Sequence, residues 1–296
     1  MFVNVKMSLS DLLGRDYTDR LVAMNAALGT MSEAEASELA NGKVEFFPEE
    51  IQRRNSALLA KTGTQIIAPL MGTTDGAPTD SFRKAESKEA APIGGFGCFR
   101  LGENGKLYFI GKSEHYHASL GHSFPGYRLV DRARLLGIPN ATHNNTRGYI
   151  TRLCEERLVL SANGADWNDK EATERIISSK ERKVLNRVIN LETGSLAVEA
   201  GFKMMLARFY KLSPELPEPK YAGKTPVFFV MGDLAGGVAA NYHGTTVLIQ
   251  TFRGLWGSLR DKAEADGLYK VVPISINDPA DFEAKIKKYN RGNYKT

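Results

Sequence analysis

One run constrains the fold of this chain more than any other. TPVFFVMGD, residues 225–233, is apolar at almost every position and does not alternate. A strand with one face in water alternates polar and apolar residues, whereas a strand covered on both faces reads as a continuous apolar run. The chain therefore has to lay other elements on both sides of this strand. The flanking sequence supplies them. VLNRVIN (184–190) reads as a strand, LAVEAGFKMMLARFY (196–210) as a helix and TVLIQTF (246–252) as an extended segment. SLRDKAEADGL (258–268) is helical in pattern, YKVVPISI (269–276) is strand-like, and DPADFEAKIKKY (278–289) is a helix. That last helix has a well-formed start, with Asp278 at the N-cap, Pro279 at the first helical position and Asp281 two further on. Strands alternating with helices predict an α/β fold with a mostly parallel sheet.

The upstream sequence is different. DLLGRDYTDRLVAMNAAL (11–28) and SEAEASELA (32–40) carry helical spacing, and Gly72–Asp80 is a turn-rich loop. FGCFRL (96–101) and KLYFIG (106–111), joined through Gly102–Gly105, predict a β-hairpin. TRGYITRLCEERLVL (146–160) reads as an amphipathic helix, followed by the polar stretch SANGADWNDKEATE. The expected division is residues 1–121 as an N-terminal segment of helices plus hairpin, and 122–296 as an α/β unit.

Composition narrows the function classes. With 296 residues, 42% hydrophobic and 25% charged, the chain has the make-up of a globular protein. No apolar run approaches the roughly 20 residues of a membrane span, and the first residues lack a basic leader with an apolar core. Only Cys98 and Cys154 occur, which predicts no disulfide framework and fits a reducing cytoplasm. The net charge is +5, but the basic residues are scattered. The densest groups, KERK at 180–183 and the tail from Lys285, read as solvated helix faces, so neither nucleic acid nor membrane is an expected partner.

The most suggestive short stretch is Thr193-Gly194-Ser195, between the predicted strand 184–190 and the helix after it. A helix start carries unpaired N–H groups and the positive end of the helix dipole. A glycine allowing close approach and two hydroxyls suit it to hold a phosphate. The same residues also make an ordinary N-cap. The spacing matches neither the dinucleotide fingerprint nor the phosphate-loop lysine pattern. Two further stretches belong with it: Tyr242-His243-Gly244-Thr245-Thr246, where a ring could lie on Tyr242, and Leu120-Gly121-His122-Ser123-Phe124-Pro125.

Taken in order, these three stretches resemble the class III aminotransferases, pyridoxal-phosphate enzymes of fold type I. In that family a Leu-Gly-His-x-x-Pro segment follows an N-terminal hairpin. A strand then ends in Asn-Ser-Gly-Thr-Glu-Ala-x-Glu, and an aromatic-His-Gly-x-Thr segment comes later. The likeness runs from about Gly105 to about Tyr289. It implies a partial three-layer large domain with a mostly parallel sheet, and pyridoxal 5'-phosphate as cofactor. It implies that the amides of Gly194 and Ser195, with the hydroxyl of Thr193 or Ser195, hold the phosphate. Tyr242 would stack on the pyridine ring, beside His243, and Gly244 would permit the turn after it. The implied reaction passes an amino group from an amine or amino acid to a keto acid or aldehyde, in a homodimer. Two departures stand out. Leu196 replaces the family's glutamate, and 164–183 is a long polar insertion. The family's chemistry also needs a lysine that joins the cofactor aldehyde and an aspartate beside the pyridine nitrogen. Lys262, Lys270, Lys285, Lys287, Lys288 and Lys295 all lack the expected context. The expectation is an N-terminal portion, inactive alone, with no catalytic residue of its own and that lysine beyond Thr296.

Other constellations carry less. His115 and His117, with Glu114 and His122 nearby, offer imidazoles without a full ligand set, so no metal site is expected. Cys154 falls with Ile150 and Leu158 on one helix face and reads as a buried small apolar residue. Gly94, Gly95 and Gly97 lack the setting of a dinucleotide loop. The alternative to the enzyme is a non-catalytic α/β module that uses Thr193–Ser195 for another phosphate-bearing ligand, such as a nucleotide.

Overall fold

Well-capped short helices organise the start of the chain. The computed structural model describes residues 2–70, 91–110, 120–139, 147–232, 246–252 and 254–296. It divides the chain into two units, Met1–Arg157 and Leu158–Thr296, with the division inside a helix.

In the first unit, strand β1 (Lys6–Met7) pairs antiparallel with β2 (Val44–Glu45). Helices α1 (Leu9–Leu13), α2 (Arg15–Leu28) and α3 (Glu33–Asn41) lie between them in sequence. The expected helix 11–28 is broken at Gly14, whose φ of 87° a side chain would strain. Ser8 and Ser32 close capping boxes with Asp11 and Glu35, each pairing two otherwise orphaned amides. Ala36 and Ala40, both wholly buried, let α3 pack closely on Leu9, Val44, Leu129 and Leu136. Helix α4 (Glu49–Leu59) follows; its pattern escaped the sequence reading.

The predicted hairpin is present as β4 (Phe99–Gly102) and β5 (Leu107–Phe109), and β3 (Pro92–Phe96) adds a third antiparallel strand. The Leu-Gly-His stretch is fastened to this sheet. Gly97 and His122 exchange both backbone hydrogen bonds, at 2.8 and 2.9 Å. That approach needs glycine at 121, where φ is +89° and a Cβ would sit 2.5 Å from the Gly97 carbonyl oxygen. A short 3-10 turn at Pro125–Tyr127 then leads into α5 (Arg128–Leu135).

Helix α6 (Tyr149–Ala162) matches its prediction, and α7 (Lys170–Ser178) starts at the Asp169 cap inside the polar insertion. Residues 184–190 correct the sequence reading: they form no strand. Their backbone is held by side chains instead of a ladder. Asn163 donates to the Leu185 carbonyl, while Asn186 and Arg187 donate back to Ser179 and Ile177. Val184 and Val188 cover the small core of Val159, Leu160, Ala172 and Ile176.

The main sheet of the second unit has the order β7-β6-β8, all parallel, from β6 (Thr225–Met231), β7 (Lys270–Ile274) and β8 (Tyr294–Lys295). The strand that opened the sequence reading is its centre. Phe228 points into a cluster with Phe252, Phe202 and Tyr269, and the next residue, Phe229, meets Phe282 on the other face. Helix α8 (Gly194–Leu206) supplies Phe202, and α9 (Val247–Phe252) supplies Phe252. The second of these is another correction, because 246–252 was expected to be extended. Thr246 caps the helix by accepting from Ile249 N–H, and helical spacing brings Leu248 and Phe252 together onto the cluster. Helices α10 (Gly257–Ala265) and α11 (Pro279–Tyr289) complete the unit, with Asp278 capping α11 as its sequence implied. A mixed α/β architecture, with a parallel sheet in this unit, is thus observed.

Two predictions follow from the packing. Gly121→Ala should cost about 2–3 kcal/mol, since backbone strain and a backbone clash add. Gly29→Ala, equally left-handed but in open space, should cost only about 1 kcal/mol. Equal losses in thermal unfolding would contradict the Gly97–Gly121 contact. At the C-terminal helix, the Lys285 ammonium and then the Ser275 N–H hold the Asp281 carboxyl below the usual carboxylate range. A depressed acid stabilises the fold above its unfolded value and loses that contribution as pH falls through its folded one. The gap in melting temperature between wild type and Asp281→Asn should therefore be largest near neutrality and close in acid.

Candidate functional site

The start of α8 is built as a cap with two donors left over. Thr193 is extended, at φ −143° and ψ 157°, and its Oγ1 accepts from Leu196 N–H at 3.2 Å. Its carbonyl accepts from Ala197 N–H at 3.0 Å. The N–H groups of Gly194 and Ser195 donate to no acceptor among the described residues. Gly194 is exposed, and a Cβ placed there would meet nothing within 4 Å. No acidic residue stands in the first turn. Leu196 is exposed and brings no negative charge to the dipole's positive end.

The helix itself is held by its other end. Phe202 lies 5.1 Å from Phe228 and 4.9 Å from Phe252, ring centre to ring centre, and Leu206 packs on the same cluster. One residue of the matched stretch has a burial that its sequence did not reveal. Glu199 Oε2 is buried with no hydrogen-bond partner among the described residues. It is the last glutamate of the 190–199 stretch, which carried no separate role in the sequence.

The structure thus brings Thr193, Gly194 and Ser195 together at one exposed helix start. Tyr242, His243 and Gly244 lie outside the described residues, as do Glu114, His115, His117 and the loop 72–80. Cys154 corrects its expectation: it is exposed, as is Leu158 beside it, because the helix turns Val159 and Leu160 inward instead. Among the described residues no group of three metal-binding side chains forms, and no helix is long and apolar enough to cross a membrane.

The hydrogen bond it donates to Glu264 pushes the Lys270 ammonium pKa up, and Lys285 is paired with Asp281. Comparison of the chain with protein-family models, curated proteins and solved structures finds no match.

The cap itself is testable. Thr193→Ala should destabilise the first turn of α8 by about 1 kcal/mol. Amide exchange at Leu196 should speed up severalfold while exchange in β6 stays unchanged. Unaltered exchange at Leu196 would mean that the threonine hydroxyl does not close this turn.

Proposed function

We propose that this chain holds pyridoxal 5'-phosphate as part of a class III aminotransferase. The single observation behind the reading is the open start of α8, where two adjacent amides, a glycine and two hydroxyls face solvent with no carboxylate in the turn. The ordered resemblance of 120–125, 190–199 and 242–246 to that family turns a generic anion site into a specific one.

The residues present fit the group. A phosphate needs donors that are free and unobstructed, and the Gly194 and Ser195 amides are both. Thr193 accepts from Leu196 with its oxygen, so its hydroxyl proton remains available to an anion. When bound, the cofactor supplies an aldehyde and an electron-poor ring that stabilises negative charge on a substrate carbon. The role of this chain is placement. The helix start would hold the phosphate end, and by the family resemblance Tyr242 would be the residue to cover the ring and exclude water from it. The same resemblance would give Gly244 the turn that follows. The net transformation is transfer of an amino group from an amine or amino acid to a keto acid or aldehyde, in a homodimer.

The test is titration of the purified chain with pyridoxal 5'-phosphate, followed by quenching of tryptophan fluorescence. Saturable binding is expected, with pyridoxal lacking the phosphate at least about tenfold weaker. Gly194→Asp should abolish it by filling the open space with a like charge. A nucleotide that binds far more tightly than the cofactor would favour the non-catalytic phosphate-binding module. Cofactor affinity unchanged in Gly194→Asp would remove Thr193–Ser195 from the site.

A further inference from the structure

A second concave site lies in the C-terminal unit, away from the helix start already discussed. A cavity of about 340 Å³ is lined by residues of β6, β7, α9 and α10. Small-molecule sites set convergent polar groups beside apolar side chains at about this volume or above, and this lining is the more polar kind. Here Val230, Phe252 and Val271 are the apolar part, and Arg260, Glu264 and Lys270 are the charged part.

The charges are not equivalent. Glu264 is fully engaged: one carboxylate oxygen accepts from Val271 N–H at 3.0 Å and the other from the Lys270 ammonium at 2.7 Å. Its side chain is only 19% exposed, so this pair is partly sheltered from water. Lys270 and Glu264 cancel, and Arg260 is left as the excess charge of the lining. Among the described residues Arg260 is bonded to its sequence neighbour Asp261, through Nε and one terminal nitrogen, and Asp261 is 69% exposed. An exposed pair of this kind contributes little and yields readily to a better-placed anion. The guanidinium also keeps its other terminal nitrogen for a planar carboxylate.

We infer that this cavity binds a small monocarboxylate with a short apolar chain, its carboxylate on Arg260 and its chain against Val230, Phe252 and Val271. A free amine would meet the Arg260 and Lys270 cations, and the one carboxylate of the described lining, Glu264, already accepts from Lys270 and from Val271 N–H. The site works by charge and apolar contact alone and does not depend on the cofactor reading.

Calorimetric titration with hexanoate tests this on the purified chain without cofactor. Binding with a dissociation constant of about 1 mM is expected, and none with hexylammonium, which has the same chain and the opposite charge. Arg260→Gln should weaken hexanoate at least about tenfold, and Arg260→Lys should recover part of the loss. Glu264→Gln keeps an acceptor for Val271 N–H but frees the Lys270 charge, so it should strengthen binding severalfold. That variant decides the matter if Arg260→Gln fails to fold. No heat with hexanoate, equal binding of hexylammonium, or weaker binding in Glu264→Gln overturns the assignment.

Discussion

The contact between Phe228 and Phe252, rings stacked with centres 4.5 Å apart, is the one on which the C-terminal unit depends. Burial of such a ring contributes roughly 2–3 kcal/mol, and a well-placed aromatic pair adds about 1 kcal/mol. The geometric consequence matters more than either energy. Phe202 meets both rings, so α8 is located on the sheet by the same cluster that locates α9. Tyr269 closes it from the start of β7, its hydroxyl bonded to buried Thr251 at 3.1 Å. One aromatic knot therefore joins four segments far apart in sequence.

That arrangement explains how an exposed helix start can be well placed without being buried. The C-terminal half of α8 is anchored through Phe202 and Leu206, leaving the Thr193 end free to point at solvent. Capping by the helix's own threonine uses one donor and leaves two. A site for an anion needs that combination: a rigid element, a satisfied backbone behind, and unsatisfied donors in front.

Sequence reasoning was strongest where periodicity and caps agreed. The central strand, α8, α10, α11 and the hairpin all follow from apolar spacing with glycine or aspartate at their ends. It failed at short apolar runs, where period alone does not separate strand from helix. VLNRVIN has strand composition, yet Asn186 and Arg187 spend their side chains on the α7 end, and Val184 and Val188 find a helical core to cover. TVLIQTF has β-branched residues, yet a threonine cap and the reach of Leu248 and Phe252 to one cluster make it helical. Of the candidate site, the helix start at Thr193–Ser195 was legible because threonine ahead of glycine is a common N-cap sequence, which by itself does not separate a cap from an anion site. The buried Glu199 oxygen was not, because burial of one atom leaves no mark in composition.

The account turns on whether the first amides of α8 meet the cofactor's phosphate. Backbone amide spectra of the isotopically labelled chain, recorded with and without pyridoxal 5'-phosphate, address this directly. The account predicts that the Gly194 and Ser195 N–H resonances move most among α8 residues, and that inorganic phosphate shifts the same two in the same direction. Cofactor binding that perturbs other residues while leaving these two amides in place would contradict it.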